Sequence, residues 1–98
     1  MLKPIKWSSF AEDDFAQILE YLYNRWNAAV VSRFMTETDS CILLIQKNPQ
    51  QFPFLKKDLN VRKCVITKHN TLYYRERPTK IEILRIYDTR QNPETLRF

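Results

Sequence analysis

The 98 residues, 44% hydrophobic and 13% aromatic, hold enough apolar mass for one domain, residues 1–98, with one core, and they exclude a disordered chain. Glycine is absent, where an average chain of this length carries about seven. That excludes the Gly-rich phosphate loops of Walker or Rossmann type and a G-x-S-x-G nucleophile elbow. The net charge is +5, but residues 1–48 carry five Lys/Arg against six Asp/Glu, and residues 49–98 carry eleven against five. The second half therefore predicts a concentrated cationic surface, suited to a polyanion or an acidic protein partner.

Residues 3–7 alternate Ile5 and Trp7 against Lys6 and predict a short first strand. Ser9-Phe10-Ala11-Glu12 has the spacing of a capping box, with Asp13 and Asp14 adding negative charge beside the positive helix end. Ala11, Phe15, Ile18, Leu19, Leu22 and Trp26 then trace one face of a helix running to about Arg25, its aromatics assigned to the core. Asn27 is the expected N-cap of a second helix. Its apolar stripe is Val30, Val31, Phe34, Met35, Cys41, Ile42 and Ile45, with Thr38 in line, and Pro49 ends it. The very short link between the two predicts an αα-hairpin.

Residues 49–60 hold two prolines and a Lys56-Lys57-Asp58 cluster and read as loop. Residues 61–67, 71–77 and 80–87 are β-rich runs, separated by a Lys68-His69-Asn70 turn and by Pro78-Thr79. In the first turn Asn and His are expected to supply the left-handed geometry glycine would otherwise give. Residues 88–98 form a polar tail broken by Pro93. The order β-α-α-β-β-β predicts an α+β fold, an antiparallel meander with the αα-hairpin packed on one face and the other face open. No apolar stretch approaches the ~18 residues needed to cross a bilayer, and residues 1–7 lack the core of a signal peptide. The expected compartment is the cytoplasm, without membrane association. Cys41 and Cys64 form no CxxC pair and read as buried free thiols. With one histidine, a zinc site has too few soft ligands, so neither metal nor other cofactor is expected.

The ordered set of segments resembles the RelE/ParE superfamily of toxins from type II toxin–antitoxin (plasmid stabilisation) systems, and its ParE-like members more closely. The likeness is carried by Ile5-Lys6-Trp7-Ser8 with Ala11 and the run from Ile18 to Tyr21, by Asn48-Pro49, by Val61-Arg62-Lys63, and by His69 through Arg75. It closes with Ile81-Glu82-Ile83-Leu84-Arg85-Ile86-Tyr87-Asp88 and Thr89-Arg90-Gln91-Asn92-Pro93, so it spans nearly the whole chain. The resemblance implies a growth-arresting toxin silenced by a cognate antitoxin in a hetero-oligomer. The target is DNA gyrase for ParE-like members, and mRNA in the ribosome for RelE-like ones.

RelE-like cleavage is metal-independent and needs a base for the ribose 2′-OH, a cation on the phosphate and an acid for the leaving oxygen. By resemblance, Arg62 stands at one nuclease lysine position, Cys64 at the next, and Thr71 where an arginine is expected, so the nuclease set is depleted. The residues left to form a site are Arg85, Tyr87, Asp88 and Arg90, with Arg62 and Lys63 across the sheet. Arg62 or Arg85 is suited to clamping a phosphate. Tyr87 is suited to stacking on a base or acting as acid, and Asp88 to acting as base or fixing Arg90. Arg62, Lys63, Arg85 and Arg90 are the matching candidates for binding a target. The residues leave open whether the chain is an enzyme.

Overall fold

The computed structural model describes residues 2–88 and 98. The elements are β1 (Ile5–Trp7), α1 (Ser9–Arg25), α2 (Ala28–Lys47), β2 (Phe54–Lys56), a 3-10 turn (Lys57–Leu59), β3 (Val61–Thr67), β4 (Asn70–Glu76) and β5 (Ile81–Asp88). The five strands form one sheet in the order β1-β5-β4-β3-β2. Neighbours within β2 to β5 run antiparallel, whereas β1 runs parallel to β5 with Ile5, Lys6 and Trp7 opposite Ile81, Glu82 and Ile83. The sheet is therefore mixed rather than wholly antiparallel. Two helices lie between β1 and the rest of the sheet in sequence, and that length of chain allows the first strand to return beside the last.

Both helices cover one face. Ala11 of α1 and Phe34, Cys41 and Ile45 of α2 are buried against Cys64, Leu72, Tyr74, Ile81, Ile83 and Ile86 of the sheet. The α1 cap lies one residue earlier than the capping box predicts. The Ser8 amide donates to Ile83 O at 2.9 Å, and its hydroxyl donates to Leu84 O and accepts from the Ala11 amide. Ser8 is thus the last residue that β5 holds extended, and the helix begins immediately after it. The α2 cap is as expected, with Asn27 Oδ1 accepting from the Val30 amide at 3.1 Å.

Other expectations are corrected. Residues 49–60 are not all loop. Pro53 O accepts from the Lys63 amide, and Phe54–Lys56 pairs with β3 at the sheet edge, where a preceding proline removes no ladder bond. Among the described residues the left-handed one is Asn60 (φ 56°), not the turn at Lys68-His69. In that turn Thr67 Oγ1 accepts from the His69 amide and donates to Asn70 Oδ1, so side chains close the hairpin without positive φ. The outer sheet face is not bare: Val61, Tyr73 and Leu84 are buried there with Leu55 and Tyr87 packed on them, and the Phe98 ring lies 6.0 Å from that of Tyr73. Both cysteines are buried, but they are not free thiols, because their sulfurs meet as a disulfide joining α2 to β3. Trp26 is 63% exposed rather than core, since it follows the last helical turn.

Candidate functional site

The β4–β5 register shifts between Tyr73, opposite Arg85, and Tyr74, opposite Ile83, so Leu84 is an extra residue on β5. Such a bulge re-aims the side chains that follow it. Leu84 joins the outer cluster and Arg85 reaches α1. There its Nε and Nη2 donate to the two oxygens of Asp14 at 2.7 and 3.0 Å, and the Ile86 amide donates to Asp14 Oδ2 at 3.1 Å. The pairing of β1 ends at Ile83, so the Asp14 carboxylate takes the place of a strand partner on the edge of β5 beyond it. The guanidinium also lies against the rings of Phe10 and Tyr87, at 5.1 and 5.4 Å. Its hydrogen bonds to Asp14, opposed by burial, hold Arg85 still more firmly protonated than usual.

Arg62 is also turned to internal use. Its Nη1 donates to Phe52 O at 2.6 Å and Gln50 O at 3.2 Å, and the guanidinium covers the Phe54 ring at 3.8 Å. It holds the chain leading into β2 and does not join Arg85. Lys63 is exposed, opposite Tyr73, which in turn stands opposite Arg85, so these three form a row across the sheet. At the two positions where the resemblance leads one to look for further cations, Cys64 is bonded to Cys41 and Thr71 is buried. Arg90 lies outside the described residues.

Among the described residues, the cations of the second half do not form one surface. Arg77 and Lys80 flank Glu82, Lys3 binds Glu76 at 2.7 Å, and Arg75 Nε donates to Leu59 O. Arg75, Arg77 and Lys80 gather at the β4–β5 turn, the end of the sheet away from Asp88. The six residues of strand between are about 20 Å of chain.

What the structure does bring together is a cleft of about 560 Å³ between α1 and the far end of the sheet. Tyr21 and Arg25 of α1, with Trp26 just beyond it, form one wall, and His69, Tyr87 and Asp88 the other. Tyr21 is 60% exposed, and the Arg25 guanidinium lies 5.9 Å from the Trp26 ring. Two of the sequence candidates, Tyr87 and Asp88, belong here. The core stripe expected of α1 includes Trp26 and leaves out Tyr21 and Arg25. The available signal was that Tyr21 and Arg25 lie one helical turn apart and beside Trp26. Asp14 was read only as a helix-end charge.

A profile described as "ParE toxin of type II toxin-antitoxin system, parDE" matches residues 5–93. The chain belongs to the ParE toxin family. Among solved structures, the fold of this ParE-family toxin is similar to the "Chromosomal ParDE TA system from P. aeruginosa", with TM-score 0.75 and 17% identity over 89% of this chain and 96% of that one. It is also similar to the "YoeB/ParE toxin from Agrobacterium tumefaciens" (TM-score 0.64, 15% identity, 87% and 96% covered). A third likeness is to a chain of the E. coli DinJ-YafQ toxin-antitoxin complex (TM-score 0.60, 13% identity, 90% and 93% covered). A search of the curated proteins gave no match. At these identities the structural likenesses concern the fold alone. Among the described residues, no helix of the ParE-family chain is long and apolar enough to cross a membrane.

Proposed function

We propose that this ParE-family chain is the toxin of a type II toxin–antitoxin pair that arrests growth by binding DNA gyrase in the cytoplasm, not by cutting RNA. The single observation that carries the reading is the fate of the nuclease positions. Arg62 is spent on backbone carbonyls, Cys64 and Thr71 are buried, and Arg85 is locked to Asp14. A metal-free ribonuclease needs a cation that meets the scissile phosphate as charge develops. A guanidinium already in a bidentate pair is poorly placed for that role. A cognate antitoxin neutralises the toxin with an amphipathic helix and some acidic residues. The likeness to the ParDE structure supports such a pairing.

The test is direct. Purified toxin should inhibit gyrase supercoiling and leave ribosome-bound mRNA intact. Cleavage of that mRNA between codon positions, with supercoiling unaffected, would instead establish the RelE-like reading, which the DinJ-YafQ likeness and the place of Tyr87 at the end of β5 favour.

A further inference from the structure

We infer that the cleft between α1 and the β5 end is a binding site for a nucleoside monophosphate unit, with guanine the preferred base. This holds whichever target the toxin has. Three aromatic rings line the cleft, and two of them, Tyr21 and Trp26, keep well over half their surface in water. Base–aromatic stacking is the interaction such exposed π-faces provide. Asp88 lines the same cleft. A carboxylate is an acceptor only, with about four lone-pair sites, so Asp88 suits a base edge that donates, beside the protein contact that it already makes. The guanine edge presents adjacent N–H donors, including the N2 amino group, which adenine lacks. Arg25 and His69, both exposed on the cleft walls, are the groups for the phosphate, Arg25 through its planar fork. A volume of about 560 Å³ admits one nucleotide with water, and it lies within the range of small-ligand sites. The negative charge of Asp14 does not oppose an anion here, because Arg85 is bound to it.

The source of the nucleotide, free in solution or one unit of a single strand, is decided by experiment. The full chain is titrated with GMP, AMP, guanosine and a short guanine-containing single-stranded RNA. Binding is followed by the fluorescence of the two tryptophans, Trp7 and Trp26, and by amide NMR shifts. GMP should quench the fluorescence saturably and move the amides of the last turn of α1 and of His69 and Asn70. AMP should bind about tenfold more weakly, the scale of one lost base-edge contact. Trp26→Ala should weaken GMP about tenfold through lost stacking. Asp88→Asn should abolish the preference for GMP over AMP, and Arg25→Ala should make GMP and guanosine alike. Tighter binding of the RNA than of GMP would identify a strand as the source, and equal binding the free nucleotide. The inference is overturned if about 10 mM GMP, enough to reveal even millimolar affinity, changes neither signal. It is also overturned if the shifts map outside the cleft, or if a protein partner but no nucleotide protects it.

Discussion

Asp14 and Arg85 lie 71 residues apart in sequence and form a bidentate ion pair whose side chains are only 13% and 14% exposed. The same carboxylate receives the Ile86 amide. Arg85 therefore belongs first to the architecture, tying α1 to the strand beyond the bulge. Asp14→Ala leaves a guanidinium and an edge amide without their acceptor and should destabilise by about 3 kcal/mol, the scale for breaking a buried pair. Arg85→Ala should cost a similar amount. Urea unfolding of the two single variants and the double variant measures the coupling. A stable Arg85→Ala protein that had lost toxicity would make Arg85 a functional residue instead.

Ser8 caps α1 and also donates to Leu84 O. Ser8→Ala should lower stability by about 1–2 kcal/mol, while Ser9→Ala should be nearly neutral. Comparing the two thermal midpoints decides between the cap that the structure uses and the one that the spacing suggested.

Tyr74 is fully buried, and its hydroxyl donates to Pro49 O at 2.6 Å. Burial pushes its pKa up to about 12; nearby Arg62 opposes this and Glu76 adds to it. A folded-state value above the ordinary 10 means that the phenol is kept neutral by folding. The contribution of Tyr74 is fully present below pH 10 and is lost as pH rises from 10 toward about 12. Unfolding free energy measured across this window should fall, and in Tyr74→Phe part of that fall should disappear. Equal slopes in both proteins would place the alkaline sensitivity elsewhere.

The Cys41–Cys64 bond closes a loop between residues 23 apart. Constraining such a loop in the unfolded chain stabilises by about 3 kcal/mol in the chain-entropy account. Reductant should therefore lower the thermal midpoint of the wild type and leave a Cys41→Ala/Cys64→Ala variant unmoved. A wild-type midpoint that ignores reductant would show that the bond contributes nothing.

If the toxin acts by binding, the Tyr87 hydroxyl is not an acid in catalysis. Tyr87→Phe keeps the ring that packs on the outer cluster and should still arrest growth on induction. Loss of arrest with folding intact would speak for RNA cleavage.

The elements were legible because each is set by local signals. The stripe from Ala11 to Leu22 and the Asn27 cap announce the helices, and the β-rich runs announce β3 to β5. The β1–β5 pairing was not legible, because nothing in three residues names a partner 76 positions away. Nor was the bulge at Leu84, which decides that Arg85 turns to α1. Candidate cations were read as a set because sequence records charge but not its neighbour. The carboxylate that holds Arg85 and the carbonyls that hold Arg62 come from distant segments. Trp26 was misassigned because helical periodicity continues on paper one step past the point where the helix ends.

The first strand of the chain is zipped to the last one. Among the described residues, Ile5–Trp7 has no strand neighbour other than Ile81–Asp88, so it pairs only once that distant segment is in place. The Asp14 contact and the second half of the Ser8 cap wait with it. Loss of β5 would release β1, the Ser8 hydroxyl and the Asp14 carboxylate together, so one strand holds three separate parts of the molecule in place.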